Sequence, residues 1–243
     1  MDTATYAVEA EIEATHWWFV GRRRLFAREI EKLSLPSSSR IVDVGTSTGT
    51  NLRLLRGLGF RAVEGLDFSD EAIRYCREKG FGLVRRGDVC AMPFADESFD
   101  LLLATDIIEH IDDDILALRE LARVLRRGGR ALITVPAFPF IWGLQDRVAQ
   151  HKRRYRMREL IDKLGGAGFA VDTSYHFNFL LFVPIWIGRR LIDIFRPRIH
   201  SEAEVNSPLL NKFLLAIFSA DIAMAPKLRP PIGVSILIVA VKK

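Results

Sequence analysis

The sequence predicts an α/β domain: a doubly wound, mostly parallel sheet with helices on both faces. Three observations lead there. Apolar, β-branched runs and amphipathic helical segments alternate regularly from Ile41 to Ala137. The first run ends in a glycine-bearing turn, "IVDVGTSTGTN", at residues 41–51. A last β-branched run, "GVSILIVAVKK", closes the chain after two apolar segments. Strands alternating with helical patterns imply parallel βαβ units.

Each element follows from local signals. "RIVDVG" (40–45) is a β-branched run stopped by glycine, and "NLRLLRGLG" (51–59) is a helix after the polar turn. "RAVEGLD" (61–67) is the second strand. "SDEAIRYCREKG" (69–80) is a helix with Ser69 as N-cap and Gly80 as its stop. "LVRRGD" (83–88) is a third, short strand, and "FDLLLATD" (99–106) is apolar enough to be central. "DDDILALRELARVLRRGG" (112–129) reads as one helix, with acids first, arginines last and glycines beyond. "RALITVPA" (130–137) is the fifth strand. "MRELIDKLGGAGF" (157–169) is a helix, and "FAVDTSYHFN" (169–178) and the terminal run are two further strands. If these last two pair, the segment between them is a helical insertion.

Composition narrows the class. A 243-residue chain with 49% hydrophobic residues can bury one α/β core with an elaboration. The net charge of +5 is compatible with an anionic small molecule, a membrane surface or a nucleic acid, and selects none of them. Cys76 and Cys90 have no CxxC partner, so neither a disulfide nor a metal role is expected of them. The start, "MDTATYAVEAEIEATHWW", lacks an apolar signal core, which gives a cytoplasmic expectation.

In a parallel sheet of this kind, ligands bind beyond the carboxyl ends of the strands. Four acids stand there: Asp43, Asp67, Asp88 and Asp106. Gly45 and Gly49 permit close backbone approach, while Ser47 occupies the middle position of a G-x-G-x-x-G pattern. Asp67 lies roughly 20 residues beyond Gly45, the spacing of a ribose-binding carboxylate. Asp43 beside the loop would repel a pyrophosphate and suit a cationic group. Asp88 can accept from an adenine amine. A nucleoside with positive charge and no phosphate describes S-adenosylmethionine, whose carboxylate the helix N-terminus after Gly49 can take.

"VDVGTSTG", "LDFSDEAI", "GDVCAMPFADESFDLLLATDIIEHIDD" and "RVLRRGGRALITVP" together resemble the successive motifs of class I S-adenosylmethionine-dependent methyltransferases, over residues 40–137. The resemblance implies a Rossmann-like, seven-stranded sheet whose last strand is antiparallel. It implies that Asp43, Gly45, Thr46 and Gly49 cradle the methionine part. Asp67 would bind the ribose with Phe68 beside it, Asp88 and Val89 would read the adenine, and Thr105 and Asp106 would line the floor near the sulfonium. Members of this class usually carry glycine where Ser47 stands.

Base candidates follow the fourth strand. In "DIIEHI", a helical turn would put Asp106, Glu109 and His110 on one face. These could bind a divalent cation, or His110 could serve as base with a carboxylate orienting it. The stretch also resembles the E-H dipeptide of ubiquinone-pathway O-methyltransferases. No bound metal is expected. "HKRRYRMREL" (151–160) is the second candidate, with His151 and Tyr155 flanking three cations that would suit an anionic acceptor.

The organisation expected is an N-terminal helical lid (1–39), a cofactor-binding core (40–178), an apolar helical insertion (179–231) and a final core strand (232–243). "THWWFVGRRRLF" reads as a lid with aromatics facing inward, against a helix packed on the sheet edge or an interfacial anchor. In the insertion, the apolar run "FNFLLFVPIWIG" is too short to span a membrane, which takes about 20 residues. Residues 179–226 could cap the pocket, form a homodimer interface or lie on a membrane, with Arg189, Arg190, Arg196 and Arg198 favouring an anionic surface.

The expected function is S-adenosylmethionine-dependent methyl transfer, with oxygen as the acceptor atom, to a small-molecule or lipid-linked acceptor at the inner face of the membrane or in the cytoplasm. Two rivals stand beside it: a catalytically silent cofactor-binding scaffold and an NAD-dependent oxidoreductase. Asp43 and the broken glycine pattern count against the oxidoreductase. A nucleic-acid acceptor is not expected, because "ATDII" lacks the Asn/Asp-Pro-Pro-aromatic run and the arginines are scattered.

Overall fold

The computed structural model describes residues 3–195 and 207–243. Seven strands form one sheet in the order β3-β2-β1-β4-β5-β7-β6. The first five are β1 (Arg40–Val44), β2 (Ala62–Asp67), β3 (Val84–Arg86), β4 (Phe99–Thr105) and β5 (Leu125–Pro136). They pair in parallel, as the alternation requires. β6 (Phe169–Phe177) and β7 (Ser235–Lys242) follow. β7 inserts between β5 and β6, antiparallel to both. The strand order reverses beside β1, so the carboxyl ends of β1 and β4 face the crevice where ligands bind in such sheets.

Helices cover both faces. α1 (Thr3–Ile12) and α2 (Trp17–Lys32) precede the sheet. α3 (Thr50–Gly57), α4 (Asp70–Glu78) and α5 (Asp114–Val124) are the crossovers. α6 (Leu144–Val148) and α7 (Met157–Gly166) link β5 to β6, and α8 (Phe182–Phe195) and α9 (Pro208–Leu228) lie between β6 and β7. On one face, Val42, Leu102, Ile133 and Ile238 pack under α5 and α7. On the other, Ile41, Leu103, Leu132 and Leu237 pack under α2, α3 and α9. The alternation of strand side chains thus supplies two cores from one sheet. Ser69 caps α4 as expected, accepting from the Ala72 amide, and Gly80 ends its turn at φ +82°.

The single helix expected over 112–129 is wrong at its end. α5 stops at Val124, and Leu125 already pairs with Phe99. Residues 126–129 form a bulge before Arg130 pairs with Leu101. Gly128 sits at φ +73°, and a Cβ on Gly129 would lie 2.8 Å from the Arg126 carbonyl oxygen. The glycines that read as a helix stop therefore shape the entry into β5.

The tryptophans of the N-terminal segment pack against α9 and the end of β6. Trp18 stacks on Phe218 of α9 at 5.5 Å and on Phe177 of β6 at 6.2 Å. Trp17 meets Phe218 edge-on at 5.6 Å. Burial of aromatic surface against α9 holds these two rings, while Phe19 of the same stretch lines the recess beside the glycine turn. Asp221 of α9 is buried and accepts from the amides of Asn178, Phe179 and Leu180, which ties α9 to the end of β6. By length and apolar composition alone α9 could cross a membrane, yet its inner face is this packed one. Arg196 and Arg198 lie outside the described residues.

Candidate active site

The turn after β1 is set by backbone conformation. Gly45 has φ +71°, and a Cβ there would sit 2.7 Å from Ile107 Cδ1. Gly49 has φ +86°. Ser47, in the place of the middle glycine, also adopts the left-handed region at φ 47°. That costs an L-residue about 1–2 kcal/mol. The amide of Ser47 recovers part of it by donating to Asp67 Oδ2 at 2.9 Å. A small residue in place of glycine thus keeps the loop shape.

Asp43 sits beneath this loop, fully buried. It accepts from Thr46 Oγ1 at 2.6 Å and Asn51 Nδ2 at 2.9 Å. Burial pushes its pKa up to about 6. Its carboxylate is engaged by the loop, so in this structure Asp43 holds the glycine turn. Asp67 closes the other side: Oδ1 accepts from the Ser69 amide and Oδ2 from Ser47, both at 2.9 Å. Burial raises its pKa. Phe68 is 70% exposed, with the Arg86 guanidinium over its ring, and is free to cover a flat ligand. Asp88 is exposed, and its Oδ1 accepts from the Cys90 amide. Val89, expected at the adenine, has its side chain buried in the core. Thr105 ends β4 and accepts from Asn51 Nδ2.

Three residues that the sequence reading missed come from α1, the turn after it and α2. Glu9 accepts from Ser47 Oγ at 2.9 Å. Glu13, 2% exposed, accepts from Thr48 Oγ1, from Thr50 Oγ1 at 2.9 Å and from Lys79 Nζ at 2.8 Å. Arg22 pairs with Asp106 at 2.6 Å. Nothing in local sequence marks these residues, since their partners lie tens of positions away. Between them remains a polar recess of about 60 Å³, lined by Glu9, Phe19, Arg22, Ser47, Asn51 and Thr105 among others. Whole small-molecule ligands occupy sites of about 300–1,000 Å³. The recess is the size of one polar end of such a ligand. Its guanidinium and carboxylate suit an amino-acid moiety. The glycine cradle, Asp67 and this recess therefore fit S-adenosylmethionine.

Beyond β4 the expected α-helical turn does not form. Asp106 takes φ 55°, and Ile108–His110 is a 3-10 turn. The left-handed residue pairs Asp106 with Arg22, so it stays near Glu109 and His110 but does not join their cluster as the helical spacing predicts. His151 takes its place. The His110 and His151 rings meet edge to face at 4.9 Å, and His151 Nε2 lies 4.0 Å from Glu109 Oε1. The amide of Lys152 donates to the Glu109 carbonyl at 2.9 Å, which clamps the two loops together. Glu109 is fully buried, and neither carboxylate oxygen has a hydrogen-bond partner. Burial, with Asp106 adding, holds its pKa well above the usual carboxylate range. Burial and the neighbouring His151 press His110 down to about 4.

Asp146, also missed in the sequence, organises this cluster. It is fully buried on α6 and accepts from the Gly143 amide at 2.8 Å, Arg154 Nε at 2.7 Å and Arg189 Nη1 at 3.4 Å. These cations and the His151 contact hold its pKa down to about 2. His151 Nδ1 lies 2.8 Å from its Oδ1. An ionised carboxylate only accepts, so Nδ1 donates to it, and Nε2 lies toward Glu109. Arg189, expected on an anionic surface, is instead 6% exposed and reaches in from α8 to this carboxylate. Tyr155 is a second correction. It is completely buried, donates to Asp114 Oδ2 at 2.8 Å, and burial drives its hydroxyl far above its ordinary range. It braces the loop after β5 against α5 and has no access to an acceptor.

The geometry agrees with known proteins. Residues 42–133 match the methyltransferase domain family model. A Xenopus tropicalis tRNA (carboxymethyluridine(34)-5-O)-methyltransferase is 31% identical over 144 residues, covering 58% of this chain and 21% of that one. A ubiquinone/menaquinone biosynthesis C-methyltransferase of Bdellovibrio bacteriovorus is 24% identical, covering 65% and 68%. A Cereibacter sphaeroides phosphatidylethanolamine N-methyltransferase is 35% identical over 101 residues, covering 39% and 49%. The match thus spans about a fifth of the tRNA enzyme and about half of the lipid enzyme. In fold, a Thermotoga maritima structure described as a S-adenosylmethionine-dependent methyltransferase superposes with TM-score 0.63 at 20% identity, covering 99% of this chain and 96% of that one.

Residues 42–133 thus match a methyltransferase domain, and the comparisons support a class I S-adenosylmethionine-dependent methyltransferase. They imply S-adenosylmethionine as the cofactor. Because relatives include a tRNA-modifying enzyme, the expected exclusion of nucleic-acid acceptors has no support among them.

Proposed function

We propose that this chain methylates an oxygen of a small-molecule or lipid-linked acceptor, and that Glu109, His110 and His151 activate that oxygen. The observation that carries this reading is the placement of the cluster. It follows directly on the end of β4, past Asp106, and its orientation is set by the buried Asp146. When bound, S-adenosylmethionine supplies a methyl group on a sulfonium, which needs an electron-rich acceptor held in line. Gly45, Gly49 and Asp67 would hold the cofactor, Arg22 and Glu9 would meet its amino-acid end, and Phe68 and Asp88 would flank its base. The histidine pair would face the acceptor, where a hydroxyl must lose its proton.

A lipid-linked acceptor is favoured by the surface of α8. Val183, Trp186, Ile187, Leu191 and Ile194 are all exposed on it, with Arg190 beside them. A helix with Trp and aliphatic residues on its outer face lies naturally at a membrane interface. Residues 179–226 are therefore our proposed membrane-facing segment, and a homodimer through the same face is its competitor.

Calorimetric titration with S-adenosylmethionine, S-adenosylhomocysteine and NAD tests the cofactor. Label transfer from methyl-labelled cofactor into a lipid extract, a phenol set and bulk tRNA then tests the acceptor class. We expect label in the lipid fraction, and a His151→Ala variant with near-normal cofactor affinity and turnover at least a hundredfold lower. Label in tRNA alone, or full turnover by the variant, would remove this reading.

A further inference from the structure

We infer that Glu13 is the residue by which this chain excludes phosphate-bearing nucleotides from its glycine turn. The fold alone would admit them. In open α/β sheets of this kind, the helix N-terminus after the first strand takes the pyrophosphate of a dinucleotide. Gly45 and Gly49 shape the same turn here, and Asp67 follows at the spacing of a ribose-binding carboxylate. What differs is an anion that the chain supplies itself.

Glu13 lies in the turn after α1 and is buried. Its carboxylate accepts from the hydroxyls of Thr48 and Thr50, which flank Gly49 at the start of α3. It also accepts from Lys79 Nζ at 2.8 Å, and Arg53 Nη2 stands 3.5 Å away. Hydroxyls, an ammonium and a guanidinium beside a helix N-terminus are the donors that hold a phosphate. Lys79 donates to the Thr48 carbonyl at 2.8 Å as well, which fixes the ammonium against the turn. Burial alone would raise the pKa of Glu13. The hydrogen bonds from Lys79, Thr48 and Thr50 outweigh it and hold the carboxyl below its ordinary range. An incoming phosphate would therefore meet a full negative charge, on donors that are already engaged.

Ser47 is an independent second observation. The middle position of a dinucleotide turn is glycine so that the backbone can approach the pyrophosphate. Here a side chain stands there, and Ser47 Oγ donates to Glu9 at 2.9 Å. The Glu13 amide donates to the Glu9 carbonyl at 2.8 Å, so the two acids are one helical turn apart and reach the glycine turn from the same side. One N-terminal segment thus sets two carboxylates on a turn that would otherwise suit phosphate. S-adenosylmethionine carries no phosphate, and its single carboxylate has Arg22 in the recess. That last step rests on the proposed cofactor contacts. The anion position at Glu13 does not.

The test is a gain of binding, which a merely structural role for Glu13 would not produce. Pyrophosphate and NAD are titrated calorimetrically into the full wild-type chain and into Glu13→Ala, which removes the anion and leaves its donors. We expect the variant to bind both at least about tenfold more tightly than wild type. Adding Lys79→Ala to Glu13→Ala should return the affinity to the wild-type level. Far-UV dichroism and thermal melts check the fold of each variant. Glu13→Gln, nearly isosteric and uncharged, carries the test if Glu13→Ala does not fold. Equal pyrophosphate affinity in wild type and the folded variant would overturn the inference, and so would a gain that survives Lys79→Ala. A gain in a chain that binds no S-adenosylmethionine would keep Glu13 in this role and remove the cofactor reading instead.

Discussion

Replacing Asp146 by alanine should be among the most destabilising single changes in this chain. The carboxylate is completely buried and takes hydrogen bonds from Gly143, His151, Arg154 and Arg189. Both arginines are nearly as buried, at 5% and 6% exposure. Arg154 also donates to the Ala137 carbonyl and Arg189 to the Ile141 carbonyl, neither of which carries a full charge. Removing one partner from a buried ionic cluster costs about 3–5 kcal/mol. For a chain of this size, each kcal/mol moves Tm by about 2–4 °C, so the midpoint should fall by roughly 6–20 °C. The pH dependence follows the same group. Its folded-state pKa is depressed to about 2 from an ordinary 3.8. The stabilisation is therefore fully present above pH 3.8 and is lost as pH falls toward 2. It amounts to about 2 kcal/mol. Thermal melts of wild type and Asp146→Ala at pH 7 and at acid pH read both effects. A Tm drop of less than about 2 °C at pH 7 would refute the claim that Asp146 neutralises Arg154 and Arg189 in the interior.

Asp67→Ala should weaken S-adenosylmethionine binding tenfold or more by calorimetry, since a charged buried hydrogen-bonding group contributes about 1.5–3 kcal/mol. Unchanged affinity would take Asp67 out of the site. Gly45→Ala should abolish cofactor binding while the protein stays folded. Its Cβ would meet Ile107 at 2.7 Å in a backbone conformation costing about 1–2 kcal/mol for an L-residue. Wild-type affinity would contradict the loop geometry. Glu9 should make the seating of α1 pH-dependent. Burial raises its pKa to about 7 from 4.5, so the folded arrangement favours the proton, and its stability declines as pH rises from 4.5 through 7. Amide protection of α1 measured by hydrogen exchange should fall across that range in wild type and stay flat in Glu9→Gln.

Much of the core was legible because its signals are local. β-branched runs, a capping serine at Ser69 and glycines at fixed offsets decide strands and helices within a few residues of themselves. Helix continuity failed at 125–129 because Arg126, Arg127, Gly128 and Gly129 fit a helix end and a bulged strand equally well. Only the pairing of Leu125 with Phe99 separates the two. Tyr155 failed for a related reason. A tyrosine among cations looks like a site residue until its hydroxyl is found sealed against Asp114.

By itself the sequence determined the βα alternation, the glycine turn, and the acids at the ends of β1, β2 and β4, because each depends on intrinsic backbone preference and short-range spacing. The tertiary structure decided what each of those acids contacts. It turned Asp43 under the loop and swung Asp106 onto Arg22. It also assembled a cluster that no spacing announces, bringing Glu109 and His110 to His151 and locking that histidine with Asp146 and, from a helix still further along the chain, Arg189. Such groups meet only when the sheet closes and burial leaves charged side chains no partner but one another, a demand that acts across the whole fold and leaves no periodic trace in the chain.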